Sequence, residues 1–107
     1  TEIMVAYAYD TVMRNNPVAF FGMVLVLEGT SVSLATHAAG KIQKNLNLPV
    51  NAFSYLNSHG SLDIEHMGFY EKLMNTIEDK NDQQAIIHAA NLFYYLYGNI
   101  FRSIPLD

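Results

Sequence analysis

The sequence predicts an all-α protein of four helices, and three observations carry that prediction. Nowhere in the 107 residues is there the period-two alternation of a half-buried strand. Turn signals at Asn15-Asn16-Pro17, at Asn47-Leu48-Pro49 and in the polar run 78–82 divide the chain into four segments. Half of the residues are apolar and 15% are charged, which is the composition of one globular domain.

The first helix is expected over Glu2–Arg14, ending at the Asn-Asn-Pro break. Asn16 is placed to cap the second helix, with Pro17 as its first residue, where a missing N–H costs nothing. This second helix runs on to Leu46, about 45 Å at ~1.5 Å per residue, and is the backbone of the domain. A third is expected over 50–77, interrupted only by Gly60 and Gly68. The fourth follows the polar loop, with Asp82 as its cap, and stops at Ser103 before Pro105.

Composition and charge exclude several kinds of chemistry. With no cysteine there is no disulfide, no thiolate metal site and no cysteine nucleophile, so any metal must be held by oxygen and nitrogen. Six Lys and Arg against ten Asp and Glu, scattered along the chain, form no stripe to neutralise phosphates, and no nucleic-acid partner is expected. The apolar run 18–27 has about half of the roughly 20 residues that a membrane span needs. It is expected to be buried rather than membrane-embedded, and the expected location is cytoplasmic. Because this run is apolar on every side, three companion helices are not expected to cover it. A homodimer partner or further chain is expected to close its far side. The opening Thr1-Glu2, without an initiator Met, likewise reads as one all-α domain, residues 1–107, cut from a longer protein.

The third segment carries the chemistry. Alternating steps of four and three trace a seam Ala52, Leu56, His59, Asp63, His66, Tyr70, Leu73, Ile77. The opposite stripe, Asn51, Ser54, Ser58, Ser61, Glu65, Gly68, Lys72 and Asn75, is small or polar and is the expected solvent face. The inward seam thus has apolar ends and a polar middle, and core positions for His, Asp and His cost several kcal/mol unless the groups are paired or bound. On the second helix the seam Phe21, Leu25, Glu28, Val32, Ala35, Ala39, Ile42, Leu46 has one charge, Glu28. Glu28 facing His59, Asp63 and His66 satisfies both helices. Two imidazoles and two carboxylates suit non-haem iron or manganese. A His-Asp-His hydrogen-bond network that only fixes helix register is the competing reading.

His37 and His88 lie off these seams and are expected to be structural. Tyr94, Tyr95 and Tyr97 follow too closely to face one partner, and most are ordinary packing. Tyr97 shares a seam with Ile86, Ala90, Phe93 and Ile100, and its hydroxyl and that of Tyr70 are the candidate catalytic groups beside the polar centre. A substrate is expected along Phe20, Phe21, Val24, Leu25, Phe93 and Tyr97.

Val-Leu-Glu28-Gly-Thr, the small-residue continuation, the Leu-Pro break and His59-x-x-x-Asp63-x-x-His66 together resemble the haem-oxygenase-like di-iron oxidases and oxygenases. These are iron-containing redox enzymes of haem-oxygenase or thiaminase-II-like fold. The resemblance implies a bundle of about seven helices, of which this chain is similar to the C-terminal four. It implies iron, one or two ions with manganese as a substitute, ligated by Glu28, His59, Asp63 and His66. It also implies oxidation of a small organic substrate by dioxygen, the remaining ligands coming from an upstream helix. Departures narrow the choice. Leu27 stands where the branch that consumes its own tyrosine has Tyr, the thiaminase cysteine is missing, and the basic pocket of the cofactorless quinone synthases is not matched. The alternative is a cofactorless or non-enzymatic helical module of the same fold that binds a small molecule or a partner.

Overall fold

The computed structural model describes residues 1–106, and among them there are four α-helices and no strand: α1 (Glu2–Arg14), α2 (Phe21–Leu46), α3 (Ser54–Met74) and α4 (Lys80–Arg102). The all-α expectation holds, and α1 falls on its expected residues. Short 3-10 turns, Pro17–Phe20 and Val50–Phe53, lead into α2 and α3, so both begin four residues later than the prolines alone suggest. The chain divides into two compact units, Leu27–Asn75 and the segments on either side of it, with α2 contributing to both.

In the flanking unit the core is Ala19, Val26, Ala89, Ala90 and Phe93, against which Met4, Tyr7, Met23 and Tyr97 pack. The Tyr7 and Phe93 rings lie 5.0 Å apart, tilted by 51°, and this offset geometry adds to plain burial. Thr11, almost fully buried on α1, satisfies its hydroxyl by donating to the Tyr7 carbonyl at 2.8 Å. Asn16 caps the turn before α2 as expected, its side-chain oxygen accepting from Val18 N at 3.1 Å. Its amide nitrogen donates to Asp82 at 2.6 Å, so one residue fastens the start of α2 to the start of α4.

That second bond explains a correction. The cap of α4 is Asp79, which accepts from Asn81 N at 2.7 Å and from Asp82 N at 3.1 Å, whereas Asp82 sits inside the first turn. Either acid could have taken the N-cap place; Asp82 is engaged by Asn16, and Asp79 is left to accept the orphan N–H groups. The third helix also ends early, at Met74 instead of Ile77.

None of residues 18–27 is exposed: Ala19, Gly22 and Val26 are buried and the rest half-buried. Part of this burial comes from α4, and Gly22 shows how. A Cβ at Gly22 would lie 2.5 Å from Ala90 N, 2.7 Å from Ile86 O and 2.9 Å from Ala89 Cβ, so α4 passes against the bare backbone of α2. By length and composition Pro17–Leu46, with a mean hydropathy of 1.8 in its most apolar window, is long and apolar enough to cross a membrane. Core helices pass the same test.

In the other unit α2 ends at Asn47, whose φ of 50° is the left-handed conformation that Asn tolerates after a helix. Leu48 N returns to Gln43 O at 3.3 Å, and Pro49 then starts the turn into α3.

Gly22→Ala gains roughly 1 kcal/mol of helix propensity but forces two backbone atoms apart, and overpacking of that kind costs about 1–3 kcal/mol. A lower urea midpoint is expected; a midpoint at or above wild type contradicts the packing described. Asn16→Ala loses a cap and an inter-helix hydrogen bond together, with an expected cost of about 1–2 kcal/mol in the same measurement.

Candidate metal centre

The unit Leu27–Asn75 contains every residue of the expected ligand set: Glu28 one residue into it on α2, and His59, Asp63 and His66 on α3. The i, i+4, i+7 spacing places the three α3 residues along one side of the helix. They are not equally buried. The Asp63 side chain is 4% exposed, Glu28 35%, His59 44% and His66 55%.

Three expectations are corrected by these values, because Glu28, His59 and His66 are not core residues. The buried side of α3 runs through Gly60, Asp63 and Tyr70, with Leu56, Met67 and Met74 half-buried. The helix is turned toward its Gly60 side relative to the seam read from sequence. Asp63 stays inside and both histidines come to the margin of the packed face. The expected solvent stripe, from Asn51 to Asn75, is exposed at every position.

Asp63 Oδ1 lies between the two imidazoles, 3.9 Å from His59 Nδ1 and 3.7 Å from His66 Nδ1. His66 Nδ1 is also 3.6 Å from Glu28 Oε2, which brings α2 to the same point. Glu28, Asp63 and His66 each offer one ligand atom, all within 4.8 Å of one another. His59 joins through Asp63 and stands at the edge of this group.

These separations are those of donors gathered about a common point. They exceed the roughly 2.7–3.2 Å of a direct N–H···O bond. Two donors each about 2.0–2.2 Å from a shared ion are spaced roughly 3 Å apart when adjacent and roughly 4.3 Å when opposite. The residues present therefore fit a metal ion of the oxygen- and nitrogen-preferring kind.

Around the group, Tyr55 stacks on His59 one turn before it, ring centroids 4.2 Å apart and tilted by 38°, holding that imidazole against the helix. The sequence reading passed over Tyr55, although an aromatic four residues before a histidine on a helix is a readable signal. Tyr70 is buried in the same unit, one turn beyond His66. Tyr97 belongs to the flanking unit, where it packs on the core and meets Phe101 edge-on at 5.0 Å. Phe93, expected along a substrate path, is instead the fully buried centre of that core. A shallow groove there is lined by Tyr7, Thr11, Asn15, Asn16, Ala19, Ala85 and His88, none of them expected to meet substrate. His37 is exposed.

Among known proteins, the model of a family described as iron-containing redox enzymes matches residues 1–98. No curated protein and no solved structure matches the chain. The match covers 98 of 107 residues and agrees with the helical architecture and with a donor set suited to iron. This chain belongs to the iron-containing redox enzyme family.

Proposed function

We propose that the chain is a non-haem iron oxidase or oxygenase of a small organic substrate, with Glu28, His59, Asp63 and His66 as the iron-binding residues it supplies. The observation that carries the reading is the meeting of Glu28 Oε2, Asp63 Oδ1 and His66 Nδ1 from two helices within one compact unit. Iron held there supplies redox chemistry toward dioxygen that no side chain of this cysteine-free chain provides.

The residues have distinct parts in this reading. Asp63, buried, is the fixed anchor, since a carboxylate withdrawn from water has the strongest need of a cation. Glu28 closes the group from α2 and carries a second negative charge that balances a divalent ion. The histidines give neutral nitrogen donors, and their half-exposed position leaves the site open on one side to dioxygen and substrate. Tyr55 covers one face of His59 and limits the imidazole's freedom to turn away. Tyr70, on the ligand helix, is assigned the proton-holding part through its Oη. Tyr97 is the second candidate for that part.

In the structural alternative His59, Asp63 and His66 bind nothing and form only a polar network along α3. Its expected behaviour differs. Anaerobic titration of the full chain with ferrous ion is expected to show binding that weakens about 100-fold or more in Asp63→Ala and His66→Ala, the loss of a ligand exceeding the 10- to 100-fold effect of an outer residue. Binding unchanged by both substitutions contradicts the assignment.

Metal linkage gives an independent check. Ferrous ion at 100 times its dissociation constant stabilises the native state by about 2.7 kcal/mol, on the order of 10 °C in melting temperature for a chain of this size. Chelation is expected to abolish the increment, and Asp63→Leu to lack it while remaining folded without metal. Equal melting temperatures with and without iron in the wild type contradict the reading.

A further inference from the structure

The seam that carries the two histidines does not stop at them. Steps of four and three along α3 run through Tyr55, His59, Leu62, His66 and Phe69, the spacing at which one helix packs along another. Tyr55, Leu62 and Phe69 are 48–69% exposed, and the imidazoles between them are half-exposed. Outward positions of a surface helix are ordinarily polar, as the neighbouring stripe with Ser58, Ser61, Glu65 and Lys72 is. Three large apolar side chains in a row, with the metal-binding histidines set among them, mark a face that packs against another surface.

The unit to which this face belongs has a small core. Between Leu27 and Asn75 the buried apolar side chains are Ala35, Ala39, Phe53 and Tyr70, and two of these are single methyl groups. A helical hairpin so thinly filled gains most of its remaining burial from a further layer of helices.

Two properties of the seam indicate what that layer is. The first is that it reads alike in both directions: aromatic ring, histidine, leucine, histidine, aromatic ring, with Leu62 seven residues from each end. A twofold pairing uses one patch twice. Turned end for end on a copy of itself, this face sets the Tyr55 end of one chain against the Phe69 end of the other, with Leu62 at the centre. The second property is the donor set. One chain gathers a Glu from α2 and, from α3, a carboxylate three residues before a histidine, Asp63 and His66. Four-helix bundles that hold two ions do so with a Glu from each of two helices and a carboxylate-x-x-His pair from each of the other two. One hairpin of this chain supplies half of that set, and an identical hairpin supplies the other half.

We propose, on the metal-binding reading above, that a second copy of this chain packs its α2–α3 hairpin on the α3 seam, closing a four-helix bundle about a pair of metal ions to which each copy supplies Glu28, Asp63 and His66. The four carboxylates of the two copies balance two divalent ions. The open side of the centre becomes the interior of the bundle, where dioxygen and substrate are met away from bulk water.

The test uses the full chain and the variant Leu62→Gln/Phe69→Gln. Both side chains are exposed, so a single chain loses no core by the exchange, and glutamine is a good helix former that brings no charge to the centre. Wild type loaded anaerobically with ferrous ion is expected to sediment as a dimer, with a melting temperature that rises with protein concentration. Manganese(II) in place of iron is expected to give the electron paramagnetic resonance of spin-coupled neighbours, the ions of such pairs lying about 3.5–4 Å apart. The variant is expected to sediment as a monomer, to bind ferrous ion about 10- to 100-fold more weakly, and to show manganese as isolated ions. If the variant loses its helicity, dilution of the wild type decides, with ferrous affinity expected to fall as the chain is diluted. Metal-loaded wild type of monomer mass, the outcome if another protein or a further segment of the same chain covers the seam, overturns the inference. Uncoupled manganese in a wild-type dimer, a folded variant with wild-type affinity, or an affinity that dilution leaves unchanged overturns it equally. The metal reading survives each of these results, whereas a wild-type chain that binds neither ion overturns both.

Discussion

A carboxylate that is 4% exposed, set between two imidazoles at 3.7 and 3.9 Å, imposes more on this chain than any other feature. Removing one ionised group from water costs several kcal/mol unless an opposite charge or a set of donors replaces the lost hydration. Asp63 has a histidine on either side of it along α3 and a second acid, Glu28, within reach on α2. The meeting of two carboxylates and two imidazoles from two helices is the observation on which the metal reading rests.

The close approach of helices serves the same end. In one unit Gly22 lets α4 lie on the backbone of α2, with Ala19, Ala89 and Ala90 completing a core of small side chains around Phe93. In the other, Gly60 admits Thr36. At Gly22 the close atoms of α4 are backbone and a Cβ, so the two helices approach more nearly than ordinary side chains permit, whereas at Gly60 the close atom is the Thr36 hydroxyl. The first contact lays α4 against the apolar run 18–27. The second lies in the unit that holds Glu28, Asp63 and His66.

Much of this was legible in the sequence, and the misses have physical causes. The limits of α1, the Asn16 cap and the solvent stripe of α3 follow from local rules, because Pro, Asn and period-3.6 patterning act within a few residues. The cap of α4 was misassigned because Asp79 and Asp82 are locally equivalent, and only the distant Asn16 distinguishes them. The approach of α4 to residues 18–27 depends on Gly22, whose effect is invisible until the crossing helix is known. Spacing placed Glu28, Asp63 and His66 near one another but did not show their burial. A seam drawn from side-chain type does not show which flank of it packs against the next helix, and His66 was expected inside for that reason. Phe93 looked like a pocket residue because aromatic seams of a core and of a pocket share one pattern.

The central claim is that Glu28, Asp63 and His66 share one iron ion. X-ray absorption at the iron edge of the anaerobically ferrous-loaded full chain tests it most directly. The account predicts oxygen and nitrogen neighbours at roughly 2.0–2.2 Å with the outer-shell scattering of imidazole, and loss of that imidazole signal in His66→Ala. A spectrum of hydrated iron without imidazole scattering, the same in wild type and variant, contradicts it.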